Sequence, residues 1–87
     1  MRLHAEVSSW TLREKELERT WRCRDFAAAI AFIDRVAEVA EAEGHHPDLH
    51  LTAYRDLRIV LWTHAAGGLT PNDFILAAKI DRLEGPA

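Results

Sequence analysis

Residues 41–50 read EAEGHHPDLH and gather three of the chain's five histidines, one proline and three carboxylates into ten positions. Histidine is the side chain whose unperturbed titration falls near neutrality, so a cluster of this kind suits proton transfer in both directions. His45 and His46 follow Gly44, where a helix is expected to stop and its last carbonyls still need donors. Glu41 lies one helical turn before His45 and is expected to accept from its Nδ1. Pro47 restricts His46 to an extended backbone, which sends the two adjacent imidazoles in different directions.

Plainer readings exist for each of these residues. His45 and His46 would serve as helix-terminal donors to last-turn carbonyls, Asp73 as a helix N-terminal acid, and His64 as a strand terminus before a glycine loop. Tyr54 and Trp62 would be packing residues on a half-buried sheet face. A metal reading rests on His46, Asp48 and His50, which alternate along an extended segment and would supply three N/O ligands. Against it, neither a helical HxxxH nor a CxxC pair is present, and the single cysteine, Cys23, is remote. Cys23 reads as a small buried apolar residue.

The elements that must position these groups are legible from periodicity. In DFAAAIAFIDRVAEVAEAEG, Phe26, Ile30, Ile33, Ala37 and Ala40 recur at three- and four-residue steps, which predicts a helix over 26–43 with Asp25 as an N-cap or first-turn acid and Gly44 as its left-handed stop. Beyond Pro47, DLHLTAY and LRIVLWTH alternate in the two-residue period of strands: Leu57, Ile59, Leu61 and Thr63 oppose Arg58, Val60, Trp62 and His64. A tight connection near Arg55 and Asp56 makes the two an antiparallel hairpin. A second helix follows the glycines, with Thr70 as N-cap, Pro71 at its first position, Asp73 completing a capping pattern, and Leu76, Ala77, Ile80 and Leu83 as its apolar stripe. Between Trp10 and Arg22, helix propensity competes with an alternation of Leu17, Arg19 and Trp21 against Glu18, Thr20 and Arg22, and a hairpin is preferred.

Composition narrows the class of function. Eighty-seven residues, 48% hydrophobic and 29% charged, fit one soluble domain over 1–87. A net charge of -3 with no basic run excludes an electrostatic footprint for nucleic acid. No stretch approaches the roughly 18 apolar residues of a membrane span, and MRLHAEVSSW lacks the apolar core of a secretion signal. With one unpaired cysteine, the expected compartment is the reducing cytoplasm. So small a domain also favours assembly into oligomers.

Taken together, Glu41, three residues, His45-His46-Pro47, six residues, Tyr54, nine residues, His64, eight residues and Asp73 resemble the signature of the pterin-4a-carbinolamine dehydratase family. RDFAAAIAFIDRVAEVAEAEGHHPDL is similar to the family's central helix and THAAGGLTPNDFILAAKID to its distal segment, so the likeness covers about residues 10–84. The resemblance implies an α+β domain, a four-stranded antiparallel sheet with two or three helices on one face, assembled as homodimers or homotetramers. It implies dehydration of a 4a-hydroxytetrahydropterin to a quinonoid dihydropterin in tetrahydrobiopterin recycling, without cofactor or metal. His45, His46 and His64 would form the acid-base set, with His46 indispensable. Glu41, Pro47, Asp48, Tyr54 and Asp73 would bind or support, Glu41 orienting His45 and Asp73 supporting His64 or the groups that contact the pterin. Trp62 stands where a smaller residue is usual in the family, and the family's first helix would be shortened in MRLHAEVSS. The alternative in another class is a non-catalytic pterin-binding or dimerisation module.

Overall fold

The structure, a computed structural model, describes residues 7–87. His4 and residues 1–6 of the segment expected to hold a shortened first helix lie outside the described residues; Val7, Ser8 and Ser9 form a turn. Strand β1 (Thr11–Leu12) turns into β2 (Leu17–Arg22), helix α1 (Phe26–Glu43) crosses the sheet, and β3 (Asp48–Thr52) and β4 (Asp56–Leu61) follow as a hairpin. A short 3₁₀ turn (His64–Ala66) leads to helix α2 (Pro71–Asp81). The four strands form one antiparallel sheet in the order β1-β2-β4-β3. The α+β class and the N-terminal hairpin expected from sequence are both present, although β1 is only two residues long.

Register follows the two-residue alternation. Leu17 pairs with Leu61 and Trp21 with Leu57, while Leu49 and Leu51 pair with Ile59 and Leu57, so the leucine and isoleucine rows fall on one face. That face meets the helices: Leu17, Leu57, Ile59 and Leu61 join Ala29, Phe32, Val36, Leu76, Ala77 and Ile80 in a single core. Trp21 bridges the layers, its ring 5.3 Å from Phe32 and, edge to face, 5.8 Å from Trp10. The Trp10 indole N–H and the Arg19 guanidinium both donate to Asp81 Oδ1, at 2.8 and 2.7 Å, and tie the last turn of α2 to the first hairpin.

Two expectations need correction. The buried stripe of α1 is Ala29, Phe32, Val36 and Ala40, whereas Phe26 is 53% and Ile30 38% exposed. Alanines and other apolar residues surround most of this helix, so the 3.6-residue period fits more than one phase, and the sheet selects the phase that sets Phe32 against Trp21. The hairpin connection is Ala53 to Arg55, one to two residues earlier than expected, and Tyr54 lies in it rather than in a strand. Ala53 and Tyr54 adopt φ of 47° and 55°, a conformation that sequence normally signals with glycine or asparagine. Here a tertiary clamp holds it: Cys23 N–H donates to Arg55 O, and Arg55 Nε donates back to Cys23 O, each at 2.8 Å.

Both helix starts are as expected. Asp25 accepts from the Ala28 N–H at 2.8 Å, a bond that lowers its carboxyl pKa. Asp73 accepts from the Thr70 N–H at 2.9 Å, and Pro71 opens α2. Gly44, at φ 64°, ends α1 with paired bonds, Gly44 N–H to Glu41 O and His45 N–H to Ala40 O, both at 3.1 Å. These are the two bonds of a Schellman stop. A methyl group at Gly44 would meet nothing within 4 Å, so a Gly44→Ala change tests backbone conformation alone. It should lower stability by about 1–2 kcal/mol, the cost of a left-handed L-residue, read as a reduced urea midpoint with an unchanged slope.

Candidate active site

The Schellman stop turns the chain so that the histidine doublet leaves α1 beside the start of α2. His45 Nε2–H donates to Asp73 Oδ1 at 2.5 Å. The other carboxylate oxygen of Asp73 accepts from Thr63 Oγ1 at 2.8 Å and from the Thr70 N–H at 2.9 Å. Thr63 Oγ1 also lies 2.9 Å from Thr70 Oγ1. Because the one Thr63 hydroxyl proton points to Asp73, the Thr70 hydroxyl is the donor of that contact. Asp73 is fully buried and the His45 side chain only 15% exposed, so this acid is wholly served by donors of the protein.

His46 faces the other way, as the extended backbone before Pro47 requires. Its Nε2–H donates to Glu41 Oε2 at 2.5 Å, with both side chains open to solvent. The Glu41 pairing therefore differs from the sequence expectation: Glu41 orients His46 instead of His45, while of the two partners expected for Asp73, His64 or the groups that contact the pterin, it takes one of the latter, His45. The cause is local: Gly44 breaks the helical frame in which positions 41 and 45 would be one turn apart, and Ala40, not Glu41, receives the His45 backbone.

His64 opens the 3₁₀ turn and is exposed. Its ring stacks on Trp62, with centroids 3.9 Å apart and planes inclined by 31°. The Trp62 indole N–H in turn donates to Asp48 Oδ2 at 3.2 Å. Thus three segments converge at one end of the sheet: 41–48 leaving α1, 62–64 leaving β4, and 70–73 entering α2. Tyr54 is not brought to them, since it caps the opposite end of the β3–β4 hairpin, about 20 Å of extended chain from Asp48. His46, Asp48 and His50 do not converge either; among the described residues, no group of three or more His, Cys, Asp or Glu is arranged to hold a metal ion. Cys23 is buried, and desolvation pushes its thiol pKa up, away from nucleophilic chemistry.

Thr63 is the contributor that sequence reasoning missed. It ends the buried row Leu57, Ile59, Leu61, and a hydroxyl on an inward-facing strand position signals that a polar partner waits there. Asp73→Asn should cost about 1–3 kcal/mol of stability, because an amide at this buried position sets its own N–H groups against at least one of its three part-buried donors. Thr63→Val, which removes one donor and keeps shape, should cost less; comparing urea midpoints of the two variants decides the order.

Comparison with known proteins agrees with this architecture. The sequence profile of the family described as pterin 4 alpha carbinolamine dehydratase matches residues 1–83. An Arabidopsis thaliana protein named pterin-4-alpha-carbinolamine dehydratase 2, mitochondrial, is 51% identical over 83 residues; the match takes in 91% of this chain but 44% of that protein, so the chain spans less than half its length. A Chloroflexus aurantiacus protein, provisionally given the same dehydratase name, is 51% identical over 81 residues, with 93% of this chain and 86% of that one aligned. Among solved structures, a Brucella melitensis protein described as a transcriptional coactivator/pterin dehydratase superposes with a TM-score of 0.83 at 27% identity, covering 92% of this chain and 86% of that one. A profile along nearly the whole chain, relatives identical at half their aligned positions and a shared fold have one meaning: the chain belongs to the pterin 4 alpha carbinolamine dehydratase family.

Proposed function

We propose that this protein is a hydro-lyase that removes water from a 4a-hydroxytetrahydropterin to give the quinonoid dihydropterin. The observation that carries the reading is a set of three imidazoles in a member of a dehydratase family, each held by a different partner, at one end of the sheet. The reaction breaks the C4a–O bond, forms a double bond between C4a and the adjacent ring nitrogen, gives one proton to the departing hydroxyl and takes one from that nitrogen. It is redox-neutral and balanced by two proton transfers, so side chains that titrate near neutrality suffice and no cofactor or metal is needed.

His46 is the proposed principal catalyst. Its ring is open to solvent and to a planar ligand, and its Nε2–H is committed to Glu41, which leaves Nδ1 to exchange a proton with substrate. His45, buried against Asp73, orients the ring system or handles the hydroxyl, and His64 supplies the third imidazole. The reaction belongs between an aromatic hydroxylase, which generates the carbinolamine, and a reductase, which restores the tetrahydropterin in a tetrahydrobiopterin cycle. The cytoplasm is the assigned compartment, on the unpaired Cys23; no helix among the described residues is long and apolar enough to cross a membrane. The second reading, an interaction module without turnover, draws on the coactivator description of the Brucella protein.

The deciding experiment follows dehydration of chemically generated 4a-hydroxytetrahydropterin by ultraviolet absorbance, in the presence of chelator. Wild-type protein should accelerate it, and His46→Ala should lose about 100-fold or more with folding intact, the usual worth of a positioned acid or base. Wild-type protein without acceleration favours the interaction module. Full activity in a folded His46→Ala protein removes His46 from the mechanism.

We also propose a homo-oligomer. β3 is a sheet edge with Leu49 37% exposed, and α1 leaves Phe26 and Ile30 uncovered, an apolar surface that a second copy would bury. Sedimentation should give a dimer or tetramer for the wild type and a smaller species for Ile30→Glu; a wild-type monomer at micromolar concentration rejects the assembly.

A further inference from the structure

His45 and His46 each have a carboxylate partner, and among the described residues His64 has none. The face of Trp62 is the one described contact on its imidazole, 3.9 Å between centroids with planes 31° apart. The indole is not free to wander. Its N–H donates to Asp48 Oδ2 at 3.2 Å, and Asp48 is the first residue of β3, two positions beyond the histidine doublet. Asp48 pairs with Val60 in the sheet, so two residues outward along the two strands stand His46 and Trp62. Thr63, between Trp62 and His64, is fastened to the buried Asp73 at 2.8 Å. The tripeptide is therefore held at two points, at the Thr63 side chain by Asp73 and at the Trp62 indole by Asp48.

We propose that Trp62 is the positioning residue of His64: the indole face sets the plane of the imidazole, the Asp48 carboxylate sets the plane of the indole, and both nitrogens of His64 are left for the substrate. Stacking is the hold that permits this. A hydrogen-bonding partner such as Asp73 or Glu41 occupies one ring nitrogen, whereas a π-face occupies none and still restricts the ring. An imidazolium on that face gains a cation–π attraction as well, so the hold persists in both protonation states of a proton-transferring ring. Asp48 thereby acquires a defined task two steps from the substrate. The stack itself rests on geometry alone; the catalytic use of His64 rests on the dehydratase reading above.

Two measurements separate these levels. In protein labelled at the histidine rings, the carbon-bound ring protons of His64 should resonate upfield of ordinary imidazole positions through the indole ring current. The shift should vanish in Trp62→Ala, be reduced in Asp48→Ala and survive in part in Trp62→Phe. In the dehydration assay, Trp62→Ala should lose about 3- to 10-fold in kcat, the range of an aromatic contact, and Trp62→Phe should recover most of it. Added to His64→Ala, Trp62→Ala should lower kcat no further, because a residue that acts through His64 has nothing left to position. His64 protons at ordinary positions in the wild type, or losses that multiply in the double variant, overturn the proposal. Upfield His64 protons in a protein with no dehydratase activity keep the stack and reject the dehydratase reading instead.

Discussion

A carboxylate without solvent contact must be surrounded by donors or it cannot stay where it is. Asp73 meets that demand with His45, Thr63 and the Thr70 backbone, and these three come from three different parts of the chain. The C-terminal exit of α1, the end of β4 and the first turn of α2 are thereby joined at one atom pair. A helix packed on a sheet is free to slide by a residue or to tilt if only apolar surfaces meet; a buried acid with fixed donors removes that freedom. The same residue that caps α2 therefore sets the height at which the histidine doublet leaves α1. Capping and site construction are one interaction here, and the plain reading of Asp73 as a helix-start acid is true without being complete.

Gly44 does the corresponding work on the other side. A helix that continued through 44 would place His45 one turn above Glu41 on the outer surface. The left-handed residue instead reverses the chain, returns the His45 N–H to Ala40 O, and swings the His45 ring inward to Asp73. Pro47 then holds His46 extended and outward, where Glu41 meets it. One glycine and one proline thus give two adjacent imidazoles different surroundings, one nearly enclosed and one open.

Much of this was legible in the residues. The helix over 26–43 with its stop at Gly44, the start of α2 and the alternation of β3 and β4 follow from local chemistry, because caps and two-residue periods are written in consecutive positions, whereas in β2 helix propensity competed with the alternation. What was not legible depended on tertiary choice. The phase of α1 was hidden by apolar residues around its circumference, and the partner rings of the sheet decided it. The turn at Ala53 and Tyr54 has no glycine to announce it, since the Cys23–Arg55 clamp imposes it from outside. At the site, the histidines and acids were identifiable by type and spacing, but the pairing of acid with histidine was not. Helical spacing linked Glu41 to His45, and that inference fails at the very glycine that ends the helix.

The three imidazoles show why their residue type alone would have said so little. A histidine hydrogen-bonded to a buried acid has one nitrogen committed and little freedom to move, which suits recognition of a ligand's shape. One paired to an exposed acid keeps its other nitrogen in solvent and its partner weakly held, because water competes for an exposed hydrogen bond. One stacked on an indole keeps both nitrogens. A dehydration that gives one proton to a leaving hydroxyl and takes another from the adjacent nitrogen is served by groups held in more than one of these ways. Identical side chains become different reagents through what lies against them: Asp73 for His45, Glu41 for His46 and Trp62 for His64. Under the dehydratase reading, the division of labour is set by the fold at these three contacts, and the order of the histidines in the sequence carries no part of it.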